Sequence, residues 1–140
     1  MKFLLDTCVI SELIKKTPDN SVIKWVSECP EDLLHMSILT IGEIQKGISK
    51  LTDKNRKIRI QNWLDKELMN RFAERIIPIT SEIATTWGEI LAESELKGIS
   101  IPTIDSLIGA TAVAKNLHVV TRNEKDIKKT GARVINPWGH

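Results

Sequence analysis

Three acidic residues stand where an open α/β sheet collects its chemistry. Asp6 follows the strand-like run Lys2–Leu5 and precedes a stretch in which Val9, Ile10 and Leu13 repeat at helical spacing. A carboxylate at the turn from a buried strand into a helix lies on the rim where parallel sheets bind ligands. Glu43 falls in the first turn of a helix that Thr40 is expected to open, and Asp105 in the first turn after Pro102. Ser37 and Thr121-Arg122-Asn123 end two further strand-like runs on the same rim. Gathered together, Asp6, Glu43 and Asp105 make an oxygen-only, strongly negative cup. Hard divalent cations such as Mg²⁺ or Mn²⁺ prefer such donors. Without a cation the three would repel, and at least one would stay protonated. A cation lowers the pKa of water and holds a phosphate oxygen, which is what phosphodiester hydrolysis requires. His35, His118 and His140 have no ligand spacing to these acids.

Each residue also has a plainer reading. Thr40-x-x-Glu43 matches a capping box. Asp105 suits the positive end of a helix dipole. Thr7 either caps a helix or offers its hydroxyl to a phosphate. Asp6 has no basic neighbour in its turn, so fewer structural explanations remain for it.

The elements that must position these residues alternate. Strands are expected at Lys2–Leu5, Leu33–Ile38, Ile76–Ile79, His118–Thr121 and Arg133–Ile135. Between them run helical patterns from Cys8 to Lys15, from Asp19 or Asn20 to Cys29, and from Thr40 with Ile41, Ile44 and Ile48 inward. A long charged helix is expected from Asp53 to Glu74, with Ile58, Trp63, Leu64, Leu68 and Phe72 as its inner face. Two more follow: one capped by Thr80 or Ser81 and stopped by Gly98, one from Pro102 to Asn116. Asn123 can cap a last short turn that Gly131 closes. Strands alternating with helices predict one α/β domain with a mainly parallel sheet and helices on both sides.

The 140 residues, 41% hydrophobic and 27% charged, have an ordinary globular composition. The net charge of +2 does not by itself argue for nucleic acid. Its distribution is uneven: Lys46–Arg75 holds nine Lys/Arg against four Asp/Glu. That run is either a solvated helical face or a phosphate-binding surface. Cys8 and Cys29 have no disulfide-framework or zinc spacing, and Cys8 reads as a small buried hydrophobe. No signal peptide or membrane-length run is visible, which predicts a cytoplasmic protein with no membrane partner.

In chain order, LLDTCVISEL, SILTIGEIQKGI, IPTIDSLIGATAVAKNLHVVTRNEKD and VINPW resemble the four signature blocks of the PIN domain. They look most like VapC-type toxins of prokaryotic toxin–antitoxin pairs, and VINPW is similar to the FitB-like subgroup. The resemblance implies a single domain over residues 1–140 with a three-layer fold around a central sheet of about five strands. It implies a Mg²⁺- or Mn²⁺-dependent endoribonuclease in which Asp6, Glu43 and Asp105 are the catalytic, metal-holding acids. Thr7 matches the hydroxyl residue beside the first acid. The fourth acid is where the chain departs. Some members carry aspartate where this chain has Asn123, and Asp126 is the other family position, so either residue completes the site. Lys46, Lys50, Arg56 and Arg59 would contact RNA phosphates. The resemblance further implies a homodimer and an antitoxin that occupies the cup and itself grips operator DNA. Trp25, Trp63 and Trp87 either serve an antitoxin groove or pack the core. A docking component with little nuclease activity and a structure-specific DNA nuclease are the alternatives. The second lacks an arch or helix-hairpin-helix addition.

Overall fold

The computed structural model describes residues 1–139, so His140 lies outside the described residues. The chain opens with β1 (Phe3–Leu5), α1 (Thr7–Glu12) and α2 (Asn20–Glu28), then β2 (Leu34–Ser37) and α3 (Ile38–Ser49). After α4 (Lys54–Asn62) comes a π-helical segment, Trp63–Leu68, which runs on into α5 (Met69–Arg71). The rest is β3 (Ile76–Ile77), α6 (Ser81–Leu96), α7 (Thr103–Lys115), β4 (His118–Val120), α8 (Glu124–Lys128) and β5 (Arg133–Ile135).

All strand pairs are parallel, in the order β3-β2-β1-β4-β5. The chain walks outward from β1 to β2 and β3, then returns to place β4 on the other side of β1. The crevice beyond the carboxyl ends of β1 and β4 is therefore the topological switch point, where such sheets bind ligands. Each face of the sheet carries its own core. Phe3, Leu5 and Val120 pack with Val9 and Ile10 of α1, Val22 and Val26 of α2, and Ile44 and Ile48 of α3. Leu4 and Val119 point the other way, onto Ile108 and Ala112 of α7 and Ile127 of α8. The alternation follows from the period of two in a strand. It establishes the expected three-layer α/β architecture. Among the described residues no helix is long and apolar enough to cross a membrane.

Local chemistry explains the element ends. Asp19 caps α2 by accepting from the amides of Ser21 and Val22, at 2.9 and 3.3 Å. Thr80 caps α6 through the amide of Ile83. Asn116 ends α7 in the left-handed region, at φ 56°. The helix carrying Glu43 starts three residues earlier than a Thr40 cap would place it: Ser37, fully buried, accepts from the Leu39 amide at 3.1 Å. Thr40 is thus inside the helix, and the capping-box reading of Thr40 and Glu43 fails.

The long charged helix is also corrected. The π-helical segment absorbs about one residue, or about 100° of helical phase. Leu64, Leu68 and Phe72 still reach the core, but Ile58 is turned outward and is 61% exposed. Two of the nine basic residues in this region are structural. Arg71 makes a bidentate pair with Glu31, and Arg75 donates to the same carboxylate and to the Leu34 carbonyl. Trp25 packs edge-on against Phe3, with centroids 5.1 Å apart, and Trp87 donates to Ser106 at 2.9 Å.

Glu12 ends α1 and is 4% exposed. It accepts from Lys15 Nζ and from the Asp19 amide, each at 2.8 Å, which fixes the turn into α2. The Lys15 bond holds its carboxyl below the ordinary 4.5, against the opposing effect of burial. A pKa lowered in the folded state gives stability that is full above the unfolded value and is lost as pH falls through the folded one. Glu12→Gln is expected to cost about 1 kcal/mol at pH 7. Urea midpoints of variant and wild type should converge as pH falls below 4.5. A constant gap would show that the charge is not the cause.

Candidate active site

Asp6 leaves the end of β1 and is 7% exposed. Its Oδ1 accepts from the Thr7 amide at 2.9 Å, and its Oδ2 accepts from Thr121 Oγ1 at 2.8 Å. The Asp6 amide donates to the Val120 carbonyl at 3.0 Å, which fixes the turn against β4. From α1, Thr7 Oγ1 reaches α3: it donates to Glu43 Oε1 at 2.5 Å, with the buried Thr40 hydroxyl 3.1 Å away. The Thr7 side chain therefore positions Glu43, while the Asp6 carboxylate caps α1.

Asp105 comes from the first turn of α7. Its Oδ2 accepts from Asn123 Nδ2 at 3.0 Å, and the same amide nitrogen reaches Asp126 Oδ2 at 3.3 Å. Asp126 also pairs with Lys129 at 3.1 Å. Asn123 does not cap α8 with its side chain as its position suggests. It turns its donor group to the two acids instead.

The electrostatics tie these groups together. Burial pushes the Asp6 carboxyl up, the Thr121 and Thr7 bonds pull it back, and the Glu43 charge adds to the rise. Asp105 is also pushed up by burial, and further by the charges of Asp6, Asp126 and Glu43. Asp126 is held down by the bond from Lys129, with a smaller effect from Asn123. Four carboxylates, from the end of β1, the second turn of α3 and the first turns of α7 and α8, thus share one neighbourhood.

They do not yet form a closed cage. Among the described residues no three Asp, Glu, His or Cys side chains converge closely enough to enclose an ion. The hydrogen bonds explain this: Thr121 and the Thr7 amide hold Asp6, the Thr7 hydroxyl holds Glu43, the Asn123 amide holds Asp105 and Asp126, and like charges keep apart. The donor chemistry still fits a hard divalent cation. Every group in the set is oxygen, and Cys8, whose thiol burial pushes up, stays a neutral neighbour. Cys8 is half-buried, with Sγ 3.6 Å from Thr121 Oγ1.

Lys46, Lys50, Arg56 and Arg59 are all exposed. Among the described residues none of the four is in an ion pair. Arg59 lines a groove of about 540 Å³ with Leu13, Ile14, Trp63 and Lys66. Trp63 otherwise packs against the larger core. Sequence reasoning placed Thr121 on the rim but gave it no role. The available signal was a hydroxyl directly after a buried strand, which matters only once β4 is known to lie beside β1.

A chain with this sheet order and this acidic rim belongs to the PIN domain family, which matches residues 3–132. Among its relatives is VapC ribonuclease Y4jK of Sinorhizobium fredii, 33% identical over 135 residues and 96% of each chain. Toxin FitB of Neisseria gonorrhoeae is 30% identical, over 96% of this chain and 97% of that one. The crystal structure of FitAcB from Neisseria gonorrhoeae aligns with TM-score 0.93 at 29% identity, over 99% of both chains. VapBC2 from Rickettsia felis, solved bound to a DNA fragment from its promoter, aligns with TM-score 0.81 at 26% identity, over 99% of this chain and all of that one.

Proposed function

We propose that this protein is a divalent-metal-dependent endoribonuclease and the toxin of a toxin–antitoxin pair, with residues 1–140 forming one cytoplasmic PIN domain. The observation that carries the reading is the placement of Asp6, Glu43, Asp105 and Asp126 on one rim at the switch point of the sheet, held there by Thr7, Thr121 and Asn123. The relatives named ribonuclease and toxin support the same reading.

In this proposal Asp6, Glu43 and Asp105, with Asp126, would hold Mg²⁺ or Mn²⁺. Asn123 is a neutral and weaker ligand, available through Oδ1. The ion would supply charge neutralisation at the phosphate and a more acidic water. The chain does the rest. Thr121 fixes Oδ2 of Asp6, Thr7 fixes Oε1 of Glu43, and Asn123 steadies Asp105. Lys46, Lys50, Arg56 and Arg59 take RNA phosphates along the exposed face of α3 and α4, so binding weakens as salt rises. An antitoxin covers the acidic rim and supplies the grip on operator DNA. The partnered structures named FitAcB and VapBC2 support this. The active toxin is a homodimer.

The test is cleavage of total RNA by purified protein in Mg²⁺, in Mn²⁺ and in excess chelator. Cleavage is expected with either metal and none with chelator. Undiminished cleavage in chelator overturns the metal-dependent reading. Antitoxin binding without any cleavage in either metal would leave the protein as a docking component.

A further inference from the structure

We propose that Thr121 is a positioning residue that straps the two halves of the acidic site together. The proposal rests on the reading of Asp6 and Asp105 as metal-holding acids. Thr121 directly follows β4 and is fully buried. A hydroxyl has one hydrogen to give and two lone pairs to receive with. Here all three are used. The hydrogen goes to Asp6 Oδ2 at 2.8 Å. One lone pair accepts the Asn123 amide at 3.0 Å. The other faces Cys8 Sγ at 3.6 Å, so the thiol is the donor in that contact.

The consequence reaches both acids. Asp6 comes from β1, near the start of the chain, and Asp105 from α7, 99 residues later. No direct bond joins their carboxylates, which repel. Thr121 Oγ1 fixes the rotation of the Asp6 carboxylate. By holding the backbone amide of Asn123, it also fixes the loop from which Asn123 Nδ2 reaches Asp105. One hydroxyl therefore sets the orientation of one acid and, through a single residue, of the other. Valine in its place keeps the shape but leaves the Asn123 amide without an acceptor and Asp6 Oδ2 without a donor. Serine keeps all three bonds. Groups that orient ligating carboxylates typically change metal affinity by about 10- to 100-fold when lost.

The experiment is Mn²⁺ titration of the purified protein, followed by electron paramagnetic resonance of the free ion, with thermal unfolding in chelator alongside. Thr121→Val is expected to weaken Mn²⁺ binding by about 10-fold or more, and Thr121→Ser to restore it to within about threefold. Asn123→Ala, at an exposed position, is expected to weaken binding about fivefold. Combining it with Thr121→Val should add less than the product of the two, because both act on Asp105 through the same strap. Wild-type affinity in folded Thr121→Val overturns the proposal. So does Thr121→Ser binding as poorly as Thr121→Val. If Thr121→Val does not fold, Thr121→Ala, which removes the same three bonds without a branched side chain, decides: wild-type affinity overturns the strap and a loss of about 10-fold or more supports it. A wild-type protein that binds no Mn²⁺ overturns instead the reading of the site itself.

Discussion

Asp6→Asn is expected to reduce RNA cleavage by about 100-fold or more while leaving the metal-free protein about as stable as wild type. The two halves of this expectation come from the same burial. Asp6 is 7% exposed, and burial and the Glu43 charge both disfavour its ionised form. An asparagine has nearly the same shape and can still accept from the Thr7 amide through its oxygen. It loses the Thr121 bond, worth about 1 kcal/mol, but sheds a buried charge that repels its neighbours. The net change in chelator should lie within about 1 kcal/mol. Mn²⁺ separates the proteins. An ion that binds only the folded state raises the unfolding temperature with concentration. Wild type is expected to show that rise, and the variant to show little of it. Measuring cleavage and unfolding in chelator and in Mn²⁺ checks all of this. Wild-type cleavage by the variant would remove Asp6 from the chemistry, and a fall of several kcal/mol in chelator would make its role structural.

Gly109→Ala is expected to destabilise the fold by about 3 kcal/mol, the upper end for overpacking a core. Gly109 lies in the buried run of α7 from Ile108 to Ala112. A Cβ added there would sit 2.1 Å from Thr130 Oγ1, 2.4 Å from its Cγ2 and 2.5 Å from its Cβ. Thr130 is poorly placed to yield. Its hydroxyl donates to the Ile127 carbonyl and accepts from the Ala132 amide, tying the end of α8 to β5. The helix must move instead. Because α7 carries Asp105, its displacement should lower cleavage by more than the loss of folded protein explains. Urea unfolding with parallel activity measurement checks both effects. Adding Thr130→Ala removes two of the three clashing atoms but leaves the Cβ at 2.5 Å, so only partial recovery is expected. A Gly109→Ala protein as stable as wild type would mean that α7 and the Thr130 turn separate freely.

Much of this was legible in the residues, for definite reasons. β1 and β4 are short and apolar on both faces, and buried parallel strands carry that mark. Asp6 stood out because a charge at the end of such a strand has few structural uses. The acid blocks with Glu43 and Asp105 could be matched to a family because their neighbours are distinctive as well. Other features depended on packing that no local pattern encodes. Thr121 acquires its role from Asp6, 115 residues away, once β4 settles beside β1. The start of α3 differs from expectation because Ser37 and Thr40 are both competent caps, and β2 ends at Ser37, whose hydroxyl accepts from the Leu39 amide. Asn123 is a helix cap by type, yet the carboxylates of Asp105 and Asp126 compete better for its amide. The π-helical segment has neither proline nor glycine to announce it.

That segment separates two properties that a straight helix would lock together. Leu64, Leu68 and Phe72 anchor one end to the core, while Arg56 and Arg59 ride the other end, which Ile60 and the paired amides of Gln61 and Gln45 hold against the core and α3. Gain or loss of one residue just ahead of Leu64 would swing the basic end by about 100° around its axis relative to that anchor. The direction in which this arm presents its positive charge is thus adjustable by single-residue length changes, independently of the acids at the centre of the sheet.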